Sequence, residues 1–459
     1  MKKIKPIEII EINKNRFNIY MLFTRHPNIS FIAKELRYFS NEDNFLLGVI
    51  LMDYTDGDYS YVICARDENR QFRAFEIKTD FSIESLAISA LRNSMTWHTA
   101  QELKVVEQGF PKNGLELFKE VVKGEKLHPY FINLKNGDGA SASKEAIIEI
   151  ANHLNDIDGN FVEQFQSKNG FDARIWELYL FAALIEMKFE ILREFDRPDF
   201  MVRKDDIEIA IEAVIVGRKA DEPIRMVKLE PSSNNETSIK QKLVNETPLK
   251  FGSALYSKLK KKYWTLDHVE NKPLIFAIAD FHSDQSMIWS FSALVEYLYG
   301  TKQVRRVDKD GNETLTEEPI KYYVKETGEK IPSGFFTQPN SEFISGVLFS
   351  ATGTSAKFSR MGVQAGLGSK IINLLRVGIK VNHDEDSSEP SSFSYKVDES
   401  GTEEWREGLN LFHNPNALVP IDMNLFPNIG HHKLLEGKLT SWTPDFHPYC
   451  SMNYKTIIK

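Results

Sequence analysis

Cysteine is nearly absent: Cys64 and Cys450 are the only two in 459 residues. That excludes a disulfide scaffold and a Cys-only zinc site, and it suits the reducing cytoplasm in which we expect the protein. No apolar run approaches the roughly 18 residues that a membrane-crossing helix needs, so no membrane partner is expected. The opening segment has a basic tip but neither a continuous apolar stretch nor a small-residue cleavage site, so no signal peptide is expected. Internal repeats are lacking. Positive charge is also short, with a net charge of −8. Such a chain does not coat a polyanion through its overall field; binding one would need a local basic patch or bound metal ions. The string Gly366-Leu367-Gly368-Ser369-Lys370 lacks the residue order of a phosphate-binding loop, which argues against an ATPase. Ser253 and Ser286 lie outside any nucleophile-elbow pattern, which leaves a serine hydrolase unsupported.

What is present is a globular composition: 42% hydrophobic and 27% charged residues, with 31 Phe, 16 Tyr and 6 Trp to fill large cores. The length suggests two or three domains. We divide the chain into an N-terminal α/β accessory domain (1–160), a core (161–300) and a C-terminal extension packed on that core (301–459). In the first, Phe45–Met52, Tyr59–Ala65 and Gln71–Ile77 read as strands, followed by a helix over Ile83–Met95. Asp53, Asp56 and Asp58 lack the spacing of a calcium loop and read as a polar hairpin turn. Ala142–Leu154 reads as an amphipathic helix, capped by Ser141 or Ser143 with Glu145 in its first turn, and Asn155–Asn160 breaks it. A charged hairpin is expected around Asp310-Gly311-Asn312 and a strand over Phe343–Ser350. A mobile acidic loop is expected over 383–403, then a C-terminal stretch with little regular pattern.

The signal is strongest over 171–281. A helical pattern, Asp172–Glu190, is apolar nearly all round and so reads as buried. Asp196-Arg197-Pro198 breaks it. Two strand-like runs follow, Asp199–Arg203 and Ile207–Val216, joined at Asp205-Asp206; a short strand is also expected within Phe189–Phe195. A polar loop over 217–250, a helix over Ser253–Trp264 and a buried strand over Pro273–Phe281 complete the segment.

A tight turn at Asp205-Asp206 sets Asp199 opposite Glu212 and Arg203 opposite Glu208. One face then carries only Phe200, Val202, Ile207, Ile209, Ile211 and Ala213, which supports that register. Directly opposed residues share a face with Cβ atoms about 5 Å apart. Arg203 and Glu208 make an ordinary ion contact. Asp199 and Glu212 repel unless something positive lies between them, and a divalent cation with oxygen ligands is the simplest candidate. Glu177 adds a third carboxylate on the preceding helix, where it interrupts an apolar face and needs a partner.

Helix with Glu177, strand opened by Pro198-Asp199, strand with Glu212, basic helix, apolar strand: this order resembles the restriction-endonuclease-like core of the PD-(D/E)xK nucleases. The resemblance covers roughly a quarter of the chain. It implies an α/β fold whose mixed sheet is flanked by helices. It implies Mg²⁺ or Mn²⁺ held by Asp199 and Glu212, with Glu177 as a further metal or water-positioning ligand. The activity implied is hydrolysis of phosphodiester bonds in nucleic acid, DNA ahead of RNA, and by fold-level analogy a role in defence against phage or foreign DNA. A homodimer is an open option. The sequence departs from the family where its lysine is usual, two residues after the second acid: Val214 stands there. Lys258, spaced i and i+4 from Lys262 on the basic helix, is the favoured replacement, with Lys261 and Lys262 as phosphate contacts; Lys219 and Lys228 are weaker choices. The alternative is a nuclease-like module without catalysis that binds nucleic acid or a protein. A third option, a zinc-dependent hydrolase, would use His413, His431, His432 and His447, although satisfied polar loops are the expectation there. Asp280 and His282 end the apolar strand near the expected cleft, from which they would support the acids.

Overall fold

The computed structural model describes the chain except residues 1–6, 27, 102–104, 110–113, 155–158, 193, 219–223, 225–241, 245, 308–312, 385–386, 388 and 458–459. The first unit is an antiparallel sheet in the order β1 (Ile9–Ile12), β2 (Ala33–Asn41), β3 (Leu46–Asp53), β4 (Tyr59–Arg66) and β5 (Phe72–Phe81). Helix α1 (Lys14–Met21) follows β1 and a single helical turn, α2 (Ile29–Ile32), precedes β2. The three expected strands are there; β1 and β2 were not legible because β2 carries Lys34, Glu35 and Arg37 among its apolar residues. Helix α3 (Glu84–Ala100) lays Ala87, Leu91 and Met95 on one face of this sheet. In the β3–β4 turn the carboxylates of Asp53 and Asp56 accept from the backbone N–H groups of Thr55 (2.7 Å) and Asp58 (3.0 Å), as a polar turn requires.

Helices α4 (Pro129–Asn136), α5 (Ser141–Ala151), α6 (Phe161–Gln166) and α7 (Phe171–Glu186) come next. The cap of α5 is a correction: Ala140 precedes it with no side-chain cap, Ser143 is buried, and the Ser141 hydroxyl instead accepts from the Ser369 N–H at 3.0 Å. Glu145 lies beyond the first turn. Of the expected break after α5, Asn155–Asp158 lie outside the described residues. Helices from both sides of residue 160 share one apolar cluster with the central sheet.

That sheet has eight strands. The connected run is β6 (Glu190–Leu192), β7 (Phe200–Lys204), β8 (Ile207–Val216), α8 (Glu246–Leu259), β9 (Leu274–Asp280) and α9 (Phe291–Tyr299). Two hairpins intervene, β10 (Thr301–Val307) with β11 (Glu313–Pro319) and β12 (Tyr322–Val324) with β13 (Lys330–Pro332); the turn at Asp310-Gly311-Asn312 lies outside the described residues. Then come β14 (Gly346–Ser350), α10 (Ser355–Gln364), β15 (Ile372–Lys380), β16 (Ser391–Val397), β17 (Leu409–His413), β18 (Gly430–Leu435), β19 (Lys438–Trp442) and β20 (Pro448–Ile457). The order in the large sheet is β19-β18-β17-β14-β9-β8-β7-β6, while β16, β15 and β20 form a small antiparallel sheet. Strand β9 is parallel to both β8 and β14, and all seven of its residues are buried, as expected of a strand covered on both faces. The fold is therefore α/β around a mixed sheet. Helices α4–α7 cover one face; α8 and α9 cover the other.

Two expectations beyond residue 350 need correction. The segment 383–403 contains β16, and the C-terminal stretch supplies three strands of the central sheet, β17–β19. These strands are short and several of their buried residues are His or Asn, so no apolar alternation marks them. A buried charge network holds the last part together. Glu403 pairs with Lys357 (2.7 Å), Arg360 (2.8 Å) and Arg376 (3.3 Å), and Arg376 also meets Glu407 at 2.6 Å. Burial alone would push the Glu403 carboxyl up; Arg360, Lys357 and Arg376 hold it well below the usual range instead. Glu403→Ala leaves three buried cations against one carboxylate and should cost about 3–5 kcal/mol, measured by chemical denaturation.

The β7–β8 hairpin has the expected register: Phe200 faces Ile211, Met201 faces Ala210, Val202 faces Ile209 and Arg203 faces Glu208. Arg203 sits 3.8 Å from Glu208 but bonds more closely to Glu190 on β6, at 2.8 Å. Asp205 and Asp206 both have left-handed backbones, with φ of 49° and 63°. This is the two-residue turn whose twist suits an antiparallel hairpin, built from residues less suited to it than Asn-Gly. Replacing Asp205-Asp206 by Asn-Gly should raise stability by about 1 kcal/mol in chemical denaturation, with no change in the strand register.

Candidate active site

Asp199 immediately precedes β7, and Glu212 lies in the middle of β8. One more step of the ladder from Phe200 and Ile211 sets the two acids opposite each other. The Ala213 N–H donates to Asp199 Oδ2 at 2.8 Å, and the Asp199 N–H makes a long contact, 3.4 Å, with Glu212 Oε2. The backbone of each strand thus touches the carboxylate of the other.

Glu212 is buried beneath α8. Phe251, Leu255 and Leu259 form the stripe that seats this helix on the sheet, at the four-residue spacing of a helical face. Lys258, in its last turn, donates from Nζ to Glu212 Oε1. Tyr263 Oη donates to the same oxygen at 2.5 Å. Burial, and then its hydrogen bond to Glu212, push the Tyr263 phenol well above its ordinary pKa, so it remains a donor. Tyr263 was missed from the sequence because the helix was expected to run through it. The helix starts at Glu246, before the expected Ser253, and stops at Leu259. Lys262 follows with a left-handed backbone, φ 51°, and opens a short 3₁₀ turn at Tyr263–Thr265. Lys262 therefore does not share a helical face with Lys258. Lys260, Lys261 and Lys262 are exposed, with the Lys261 ammonium 5.9 Å from the Tyr263 ring centre. Lys219 and Lys228 lie outside the described residues.

Val214, two residues after Glu212, is buried against α8 and α9. Glu177 comes from α7, which Trp176 anchors by donating to the Ala277 carbonyl on β9 at 2.9 Å. Its Oε2 is engaged by Arg174 at 2.6 Å. Burial raises the Glu177 pKa, Arg174 opposes that, and Glu212 raises it further. Asp199 keeps a side open to solvent. Even so, the crowding of protein around it, then Glu212, then Glu177, push its carboxyl up to about 8, against a smaller opposing effect of Lys258. Three carboxylates thus feel one another, with the Glu177 carboxylate held by Arg174. Among the described residues, no three His, Cys, Asp or Glu side chains form a ready-made metal cage.

The other candidates stand apart. Asp280 faces Val216, four residues beyond Glu212 on β8, or about 13 Å along the strand. Its Oδ1 lies 2.6 Å from His282 Nδ1, and neither side chain bonds to the acid pair. His413 and His431 bond to each other at 3.0 Å, while His432 and His447 both reach Asn410 Oδ1, at 2.9 and 2.8 Å. Burial pushes His432 down to about 3 and His447 to about 4. Burial disfavours the charged form of these histidines, which are engaged with one another or with Asn410, on strands and beside them.

No family model, curated protein or solved structure matches this chain.

The pKa of Asp199 fixes the sign of one pH effect. Its folded value is raised above the ordinary 3.8, so the group destabilises the fold increasingly as pH rises from about 4 to about 8. Asp199→Asn removes that charge while an amide oxygen can still accept from Ala213. In thermal melts without added metal the variant should match the wild type near pH 4 and exceed it by the largest margin at pH 8 and above.

Proposed function

We propose that the chain is a metal-dependent nuclease that hydrolyses phosphodiester bonds, with DNA ahead of RNA as substrate. One observation carries this reading: Asp199 and Glu212 oppose each other across the β7–β8 hairpin while Lys258 reaches Glu212 from α8. The donor set fits Mg²⁺ or Mn²⁺. Asp199 Oδ2 and Glu212 Oε1 are committed to protein donors, whereas Asp199 Oδ1 is left for a hard cation and Glu212 Oε2 takes only the long 3.4 Å contact from the Asp199 N–H. A dication there would also offset the repulsion from Glu212 and Glu177 that adds to desolvation in raising Asp199. When bound, it would supply an acidified water and polarise a phosphoryl oxygen.

The chain's own residues set the rest. Ala213 orients the Asp199 carboxylate, and Tyr263 orients that of Glu212. Lys258 brings a positive charge beside the acids, where negative charge grows on a phosphate during cleavage. Lys260–Lys262 and Arg197, all exposed, give this otherwise acidic molecule a local basic rim. Glu177 modulates the acids through its field and is itself neutralised by Arg174.

The test is cleavage of duplex DNA, single-stranded DNA and RNA with Mg²⁺ or Mn²⁺, with a chelator control. The wild type should cut only with metal. Asp199→Ala, Glu212→Ala and Lys258→Ala should each lose about 10²-fold or more. Equal cutting by wild type and Asp199→Ala would refute the assignment. Tight nucleic-acid binding with no cutting by the wild type would favour the non-catalytic module, for which the buried Val214 is the supporting observation.

A further inference from the structure

The first sheet carries a feature that the acid site does not use. Strand β5 bonds to β4 on one side and, among the described residues, has no strand on the other. An open edge offers a row of backbone donors and acceptors to another strand, and proteins ordinarily blunt it. Here the ladder is irregular at Phe75 and again at Thr79–Asp80, where Asp80 has φ 68°. Between these points Glu76-Ile77-Lys78 is regular, and Ile77 is 62% exposed. An open isoleucine in a regular stretch of an edge is the opposite of a blunted edge.

We propose that β5 pairs antiparallel with β5 of a second copy of this chain, about a twofold axis through Ile77. Charge selects both the occupant and the register. A twofold axis that continues the sheet must pass through a residue, so that the faces match. Centred on Glu76, it would oppose two glutamates; centred on Lys78, two lysines. Centred on Ile77, it opposes Ile77 to its own copy and places Glu76 across from Lys78 twice. Centred on Thr79, it would run through left-handed Asp80. Glu76 is a fixed charge for this purpose, since Tyr61 and Ser94 hold one oxygen at 2.6 and 2.7 Å and His98 the other at 2.7 Å.

A ladder this short buries less than the roughly 1,200 Å² of a stable interface. The remainder lies alongside. A depression of about 480 Å³ beside the edge is lined by Lys78, Ala90, Asn93 and Trp97. Leu86, Ala90, Asn93 and Trp97 follow helical spacing along one flank of α3, with Leu86 52% and Trp97 59% exposed. A second copy seated on β5 covers this flank as well.

The twofold position of Ile77 gives a test that depends on the register. Light scattering and sedimentation of the full chain should show a dimer. Ile77→Asp and Ile77→Lys each oppose two like charges and should raise the dimer dissociation constant at least about tenfold. Ile77 is exposed, so both variants should melt like the monomeric protein. Mixing the two opposes Asp to Lys and should restore the dimer. A wild type that stays monomeric up to about 0.1 mM, where weak contacts show, overturns the proposal and leaves the edge to some other strand. So does a dimer that neither variant disturbs. Two monomeric variants that do not reassociate on mixing overturn the Ile77-centred pairing.

Discussion

Two carboxylates facing each other across one antiparallel pair are the constraint around which the core is arranged. The hairpin register cannot slip to relieve them, because a one-residue shift would turn Phe200, Val202, Ile209 and Ile211 out of the apolar cluster beneath α7. The repulsion is answered in place instead. Lys258 and Tyr263 hold one oxygen of Glu212, Ala213 holds one of Asp199, and desolvation, then the fields of Glu212 and Glu177, leave the Asp199 pKa raised. A fold selected only for stability would have little reason to keep Asp199. Residual strain of this kind, concentrated on a few groups beside solvent, is where a chemical role is most economically sought.

The same chain shows what a fully satisfied set of buried charges looks like. Around Glu403, three cations and two carboxylates interlock, and the acid is driven strongly toward ionisation. Around Asp199 the acids outnumber the nearby cations and the acid is driven the other way. Both groups are rich in charge, so richness in charge alone does not separate a structural cluster from a candidate site. The direction of the imbalance does. An excess of carboxylate invites a cation from outside, whereas the Glu403 network already holds its own.

How much of this was legible in the sequence depended on periodicity. The β7–β8 ribbon alternates cleanly, so its register and the facing of Asp199 and Glu212 could be read before any coordinates. β9 was readable as an unbroken apolar run. Helix α8 is legible only in part: Glu246–Lys250 read as the end of a polar loop, and its end is set too late because Lys260–Lys262 look like helix residues when only composition is considered. Lys262 leaves the helix through a left-handed backbone that no side-chain pattern announces. The strands after residue 400 escaped notice for a different reason. Their inward residues include Asn410, His413, His431 and His432, which satisfy one another in tertiary contacts. A buried polar network erases the apolar alternation by which strands are recognised. The N-terminal sheet fell between these cases, with three strands visible and two hidden by charge.

The position of Lys258 follows from the same packing. On β8 the residue two after Glu212 points, like Glu212, toward α8, but it lies deeper, between Phe251 and the strands. An ammonium there would have to replace Val214 in a closed apolar layer, which is an expensive place for charge. At the C-terminal end of α8 the same ammonium approaches Glu212 from the rim. The Lys258 side chain remains about a quarter exposed. The end of a helix also favours a cation. With Phe251, Leu255 and Leu259 fixing α8 on the sheet, a lysine on the helix is held about as firmly as one on the strand would be. A lysine on α8 thus sets a cation beside the acids while the core beneath stays apolar, so Val214 at residue 214 is by itself no sign that the site lacks its charge.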